Sequence, residues 1–503
     1  MQIPLFNTVL SWILKKRKYQ VDMFIDHPVE VQNEVLYELL SEAKHTVYGK
    51  KYGFKDIKSY KSFAEKVPIR QYESIEPLIE RIRKGEQNVF WPSKIHWFAK
   101  SSGTTNAKSK FIPVSDEAID DCHMKAGKDM LCLFINNNED TEIFKGKGLR
   151  LGGSSAIYED NDTYFGDLSA IIIENMPFWA DFSSAPSQKT ALMSEWETKM
   201  DAIIRETIPE NITSLSGVPS WMLVLLNRVL EVTGKNNILE VWPNLEVYFH
   251  GGVNFKPYRD QYERLIPKKD FRYYETYNAS EGFFAIQDRN NSDELLLMLD
   301  YGIFYEFIPM DQYKGEDSTA IPLEQVEKDV NYALLITTNS GLWRYLIGDT
   351  IKFTNTKPYR IKITGRTKHF INVFGEELVV ENAEDALEVA CREYEAAVNE
   401  FTVAPIFMES EKSGGHEWLI EFKKEPYDMN GFVTCLDATL KSLNSDYEAK
   451  RYMDMTIKRP VVHVAPGGLF YQWLKNNGKL GGQHKVPRLS NSRNYLEELL
   501  SIA

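Results

Sequence analysis

Phe98-Ala99-Lys100-Ser101-Ser102-Gly103-Thr104-Thr105-Asn106-Ala107-Lys108-Ser109-Lys110-Phe111-Ile112-Pro113 is the stretch on which the reading of this chain turns. Ser101, Ser102, Thr104 and Thr105 surround Gly103, and Lys108 and Lys110 follow before an apolar segment. Such a loop suits a polyphosphate. Glycine lets backbone N–H groups turn inward, hydroxyls donate to phosphate oxygens, and lysine offsets their charge. The same composition also makes a solvated Ser/Thr turn. It is not a Walker loop, since no G-x-x-x-x-G-K-[ST] occurs in the chain.

Four further signatures lie downstream. Tyr277-Asn278-Ala279-Ser280-Glu281-Gly282 follows an expected strand. There a ring can stack on a purine, a hydroxyl can bond a phosphate, and a carboxylate can hold Mg²⁺. Tyr345-Leu346-Ile347-Gly348-Asp349 sets an aspartate at an expected strand end, able to accept both hydroxyls of a ribose. In Phe249-His250-Gly251-Gly252-Val253 the paired glycines allow a flat base close to the backbone. Gly481-Gly482-Gln483-His484-Lys485-Val486-Pro487-Arg488 carries a lysine on a glycine-rich loop, able to bridge carboxylate and phosphate oxygens, with Lys479 as competitor. Taken alone, each is equally an ordinary turn or a basic surface loop.

Between these signatures the pattern is α/β. Apolar residues recur at helical spacing over 116–135, over 187–208 up to Pro209, and after Pro219. Leu245–Phe249 and Phe271–Tyr274 read as strands around a helix at Pro257–Leu265, which implies a mixed or parallel sheet covered by helices. From Leu295 to Ile363 only strands are expected, as an antiparallel sheet or barrel. Beyond Arg366 comes a compact α+β pattern, with helices at 382–397 and 428–443 and strands at 402–408, 417–422 and 457–464.

At 503 residues the chain is too long for one ordinary core. Its formal charge of −13 argues against nonspecific nucleic-acid binding. Cys122, Cys132, Cys391 and Cys435 form no C-x-x-C pair, so zinc and dithiol sites are not expected and a reducing cytoplasm fits. Positive charges follow rather than precede the apolar N-terminus, which is unlike a secretory signal. No apolar run approaches the roughly 20 residues of a membrane span. There is no H-E-x-x-H and no G-x-S-x-G motif.

The order of the signatures adds to their separate readings. The loop at 101–110, the glycines at 251–252, Tyr-x-x-Ser-Glu at 277–281, Tyr-x-x-Gly-Asp at 345–349, Gly-Arg-x-Lys at 365–368 and the late lysine resemble the adenylate-forming superfamily. That superfamily includes acyl-CoA ligases, peptide-synthetase adenylation domains and luciferases. The forms Ser-Ser-Gly-Thr-Thr…Lys-Ser-Lys-Phe-Ile-Pro and Gln-His-Lys-Val-Pro-Arg look most like the Gretchen Hagen Three family, the auxin-responsive acyl-acid amido synthetases.

The resemblance implies a large N-terminal adenylate-forming domain over residues 1–365. It would hold mixed sheets flanked by helices and a β-barrel-like subdomain, with a small mobile α+β domain over 366–503. It implies ATP and Mg²⁺ as cofactors, and a small carboxylic acid and an amino acid as substrates. Ser101, Ser102, Gly103, Thr104 and Thr105 would hold the triphosphate, with Gly251 and Gly252 beside the nucleotide. Tyr277 would stack near adenine, Ser280 contact the α-phosphate, Glu281 hold Mg²⁺ and Asp349 bind the ribose. Lys368 would sit at the hinge, and Lys485 would stabilise the adenylation transition state. Ala107 stands where relatives often carry glycine. A coenzyme A ligase and a nucleotide-binding protein without turnover are the alternatives. No nucleic acid or membrane partner is expected, and the chain is expected to be a monomer or weak dimer. For the acyl pocket, Met130, Phe134, Trp179, Ser216 and Trp221 are candidates that are equally plain core.

Overall fold

The computed structural model describes residues 16–101, 110–152, 157–160, 162–177, 180–181, 183–193, 195–252, 255, 258–367, 370–376, 378–408, 413–454, 456–477 and 486–502. The strands of the larger, N-terminal part are β1 (Trp97–Ser101), β2 (Lys110–Val114), β3 (Lys147–Leu151), β4 (Tyr158–Asp160), β5 (Thr163–Gly166), β6 (Ser184–Ala185), β7 (Ile212–Gly217), β8 (Val247–Gly251), β9 (Arg272–Ala279), β10 (Gly282–Ile286), β11 (Leu295–Leu297), β12 (Ile303–Pro309), β13 (Ile321–Pro322), β14 (Asn331–Thr338), β15 (Tyr345–Thr356) and β16 (Tyr359–Arg366). The remainder supplies β17 (Phe370–Ile371), β18 (Leu378–Val379), β19 (Ala397–Ile406), β20 (Gly415–Lys424) and β21 (Val461–Val464). The helices used below are α1 (Pro28–Ala43), α2 (Tyr60–Lys66), α3 (Tyr72–Arg83), α4 (Lys125–Asn137), α5 (Leu168–Glu174), α6 (Trp196–Thr207), α7 (Pro219–Thr233), α8 (Arg259–Leu265), α9 (Val380–Glu393), α10 (Met429–Leu443) and α11 (Ser445–Arg451).

One sheet of twelve strands, in the order β13-β12-β14-β15-β16-β11-β10-β9-β8-β7-β3-β6, spans the larger domain. Its parallel half is β3, β6, β7, β8 and β9. There α7 carries the chain from β7 to β8 and α8 from β8 to β9, the helical crossover that parallel neighbours need. Covered on both faces, β8 can bury Val247, Tyr248, Phe249 and His250 in succession. The hairpin β9–β10 reverses direction, and the strands after it pair antiparallel. The strand-only region expected as an antiparallel sheet or barrel is thus continuous with the parallel strands. A smaller sheet, β2-β1-β5-β4, packs beside it with β1 parallel to β5.

The smaller, C-terminal domain is a three-stranded sheet, β19-β20-β21, against which α9 and α10 pack through Leu387 and Phe432 in one apolar cluster with Phe401, Trp418 and Ile420. One apolar cluster runs from the larger domain into it, joining Leu215, Met222 and Tyr258 to Phe374, Leu378, Trp418 and Phe432. Tyr258 also donates to the carbonyl of Val373 at 2.7 Å. Four segments differ from expectation. The helix expected at 382–397 ends at Glu393, and the strand expected at 402–408 begins already at Ala397. The region 187–208 is not one helix: a short helix at Gln188–Ala191 ends, and the Glu195 carboxylate accepts the Thr198 N–H at 2.7 Å to start α6 afresh. The last strand covers only Val461–Val464.

A buried ion pair ties the N-terminal helices to the antiparallel half. Arg344 donates to both oxygens of Glu306 at 2.8 and 3.0 Å, and the two side chains are 5% and 1% exposed. Arg344 also donates to the carbonyls of Ala64 and Val67 at 2.9 and 2.8 Å, while Tyr60 of α2 donates to Glu306 at 2.9 Å. With both groups so engaged and buried, removing one member strands a buried charge. Arg344→Met is expected to cost about 3–5 kcal/mol, and adding Glu306→Gln should recover part of it. Urea unfolding followed by tryptophan fluorescence measures both; a loss below about 1 kcal/mol counts against this account.

Candidate active site

The carboxyl ends of the central strands carry most of the expected residues. Ala279 pairs with Gly282, so Ser280 and Glu281 form the two-residue tip of the β9–β10 hairpin. A Cβ at Gly282 would meet Ile303 Cδ1 at 2.7 Å, which explains glycine there. Glu281 is half-buried, and its carboxyl is pushed up to about 7. Burial is the main cause and the Asp349 charge adds to it, while Lys110 and Arg366 oppose it. Tyr345 donates to Glu281 at 3.4 Å.

Asp349 does not lie at a strand end. Thr350 pairs with Ala333 and Leu346 with Leu335, so Ile347, Gly348 and Asp349 bulge out opposite the single residue Leu334. Gly348 makes the excursion with φ +94°. The carboxylate is gripped from two sides. Arg366, its cross-strand partner on β16, donates through Nε at 2.8 Å, and Tyr277 donates at 2.7 Å. Tyr277 itself is 4% exposed, with its ring 4.8 Å from that of Phe284. In this conformation the ring offers no open face for a base, and the hydroxyl serves Asp349 instead.

Gly251 ends β8, where a Cβ would meet the Thr276 carbonyl oxygen at 2.5 Å; close approach to β9 alone requires glycine. Gly252 turns the chain with φ +83°. Ser101 pairs with Lys110 and closes the stem of the hydroxyl-rich loop. Ser102, Gly103, Thr104 and Thr105 lie outside the described residues, as do Lys368, Lys479, Lys485 and Trp179. Of the pocket candidates, Phe134 is core, packed edge-on against Phe249 and Tyr274.

A cleft lined by Tyr72, Lys110, Leu346, Gly348, Arg366 and Thr367 connects the loop stem to the Asp349 bulge. Lys110 is one of the two loop lysines that the sequence offers as a charge offset. Arg366 and Tyr72 carry no such reading, Arg366 being only one letter of Gly-Arg-x-Lys. Tyr72 had no signal, because α3 looks like any amphipathic helix. Tyr72 accepts the Phe111 N–H at 2.9 Å, and the Lys110 ammonium lies 5.5 Å from its ring centroid.

No cluster of three or more His, Cys, Asp or Glu suited to a metal occurs among the described residues, so a dedicated cation cage is not built there. Mg²⁺ needs no such cage, since one or two carboxylates plus substrate phosphates hold it. Glu281 fits that requirement: its charge is under-compensated, and a cation would stabilise it. Among the described residues no helix is long and apolar enough to cross a membrane.

Comparison with known proteins bears on this geometry. The model of the GH3 family N-terminal domain matches residues 17–271, half of the chain. This chain belongs to the GH3 family. The models of the family's central and C-terminal domains match residues 296–366 and 381–494. The indole-3-acetic acid-amido synthetase GH3.3 of Arabidopsis thaliana is 24% identical, over 91% of this chain and 89% of the relative. The 4-substituted benzoates-glutamate ligase GH3.12 of the same plant is 23% identical over 93% and 94%. Among solved structures, the AtGH3.15 acyl acid amido synthetase in complex with 2,4-DB superposes with a TM-score of 0.60 at 17% identity, covering 94% of this chain and 93% of that one. A 2-hydroxyisobutyryl-CoA ligase reaches 0.58 at 14% identity, over 95% and 93%. The adenylate-forming fold is therefore shared.

The Glu281 carboxyl sets a pH dependence. Folded, it binds its proton more tightly than the unfolded chain does. Ionisation between about pH 4.5 and 7 therefore favours unfolding. Glu281→Gln should match the parent near pH 4.5 and exceed its stability by about 1–3 kcal/mol at pH 8 without nucleotide or Mg²⁺. Urea titrations across that pH range test it; a variant no more stable at pH 8 would show that Glu281 is well compensated.

Proposed function

We propose that the protein activates a small carboxylic acid with ATP and passes the acyl group to the amine of an amino acid, forming an amide with release of pyrophosphate and AMP. What supports this most is the meeting of three distant segments: the bulge residues Ile347 and Gly348 and the loop-stem Lys110 line one cleft, and Glu281 at the hairpin tip feels the charges of Lys110, Asp349 and Arg366. Asp349, oriented by Tyr277 and Arg366, accepts from the ribose hydroxyls. The hydroxyl-rich loop, with Ser101, Ser102, Gly103, Thr104 and Thr105, cradles the triphosphate. Ser280 reaches the α-phosphate, and Gly251 and Gly252 border the nucleotide. Glu281 would hold Mg²⁺, which when bound offsets charge on the phosphate oxygens.

A free carboxylate acylates poorly because oxide is a poor leaving group. Its oxygen attacks the α-phosphate, pyrophosphate leaves, and the acyl-adenylate then carries AMP as a good leaving group. Lys485 neutralises charge that develops on the phosphate oxygens during the first step. The division into residues 1–365 and 366–503, with Lys368 at the hinge, lets the small domain turn between the two half-reactions. The setting we assign is the cytoplasm.

The reading is tested by pyrophosphate release over small aryl and alkyl acids crossed with the amino acids. Mass spectrometry of the products, with coenzyme A present as a competing acceptor, completes the test. Acid-dependent release with an amide product is the expected outcome; a thioester product makes the protein a coenzyme A ligase, and no release with any acid removes the enzymatic reading. Lys485→Ala should slow adenylate formation by about 10²–10³-fold while ATP binding persists. Near-normal adenylation in isotope exchange would move the role to Lys479.

A further inference from the structure

Asp167 is a carboxylate that neither the fold nor the reading above employs. It directly follows β5, whose Gly166 pairs in parallel with Ala99, so it lies beside Lys100 and Ser101, where the hydroxyl-rich loop begins. It occupies the residue before α5, yet its side chain caps none of that helix's N–H groups. Among the described residues it accepts no side-chain hydrogen bond. An aspartate at such a position ordinarily spends its oxygens on the helix.

The surroundings of Asp167 come from both domains. Lys100 lies on β1 and Lys199 on α6 of the larger domain, while Asp446 and Lys450 lie on α11 of the smaller one. Lys199 is 2% and Lys450 6% exposed. The Lys450 ammonium sits 4.0 Å from the ring centroid of Trp221, in the first turn of α7. That turn follows β7, whose Gly217 pairs with His250 next to Gly251 and Gly252. The seam between the domains thus closes over the carboxyl ends of β5 and β7, between the loop stem and the double-glycine turn.

We infer that Asp167 is the proton acceptor for the attacking amine in the second half-reaction. The inference rests on the amide-forming reading above. The acceptor arrives as an ammonium, which has no lone pair to attack with. Asp167 takes one proton from it; the freed nitrogen pair bonds to the acyl carbon, the bond from that carbon to the phosphate oxygen breaks as AMP leaves, and the second nitrogen proton goes to the departing AMP phosphate. The proton then passes from the carboxyl to solvent. Burial pushes the Asp167 carboxyl up to about 6, and Asp446 adds to this, while Lys450, Lys100 and Lys199 restrain it. A base poised there is ionised at neutral pH yet basic enough to share a proton.

The experiment uses full-length Asp167→Asn with the acid and amino acid that the product screen identifies, measured as two half-reactions in single turnovers. Adenylate formation, read as a pyrophosphate burst, should stay within about threefold of the parent. Transfer to the amino acid should fall about 10²-fold or more. The parent's transfer rate should level off above about pH 7, whereas the variant's keeps climbing toward the amine's own pKa. Hydroxylamine, uncharged at neutral pH, needs no proton removed before it attacks. With it, parent and variant should form the hydroxamate at similar rates. Equal loss with both acceptors, or an unchanged transfer rate with the amino acid, overturns the inference. An absent burst in the parent instead overturns the adenylation reading. Should Asp167→Asn misfold, Asp167→Glu serves, and must then keep the levelled pH profile.

Discussion

The Asp349–Arg366 pair is the contact around which the site is organised. It joins cross-strand neighbours on β15 and β16, and it exists because a bulge of three residues against one turns Asp349 toward β16. Arg366 is also the last residue of β16, beyond which the chain leaves the great sheet. One ion pair therefore connects the proposed ribose acceptor to the point where the chain departs for the smaller domain. Tyr277 adds a third hold from β9, so hairpin, bulge and chain exit share one network.

The site sits in a body whose charges are otherwise well matched. Glu306 and Arg344 are paired with each other, and Arg344 also donates to two backbone carbonyls. Asp129 is likewise paired with Arg17 and Tyr301. Glu281 and Asp167 stand apart from these, since burial raises both carboxyls and nearby lysines only partly offset it. Under-compensated carboxylates cost stability, and sites of chemistry are where such a cost is retained. The contrast separates the structural acids from the two to which the proposals assign chemistry.

Much of this was legible in the sequence because it is local. Period-two and short apolar runs marked β8, β9 and the strands after Leu295, and Tyr277–Gly282 carried its own turn. The parts that were not legible depend on register. Gly348-Asp349 looks the same at a strand end and in a mid-strand bulge, and only pairing with Ala333 and Leu335 distinguishes them. Arg366 could not be read as a partner of Asp349 without knowing that β15 and β16 are neighbours. Periodicity ran unbroken through 187–208, while a single carboxylate, Glu195, restarts the helix. Tyr277 was read for its ring, yet burial against Phe284 leaves its hydroxyl as the working end.

Glu281 has one more consequence. If Glu281 takes the proposed Mg²⁺, a carboxyl that holds its proton up to about pH 7 would surrender it on loading. The empty and loaded forms then differ by a hydrogen ion as well as by nucleotide. Loading would acidify the medium slightly, its heat would vary with the ionisation enthalpy of the buffer, and its affinity would tighten as conditions turn alkaline.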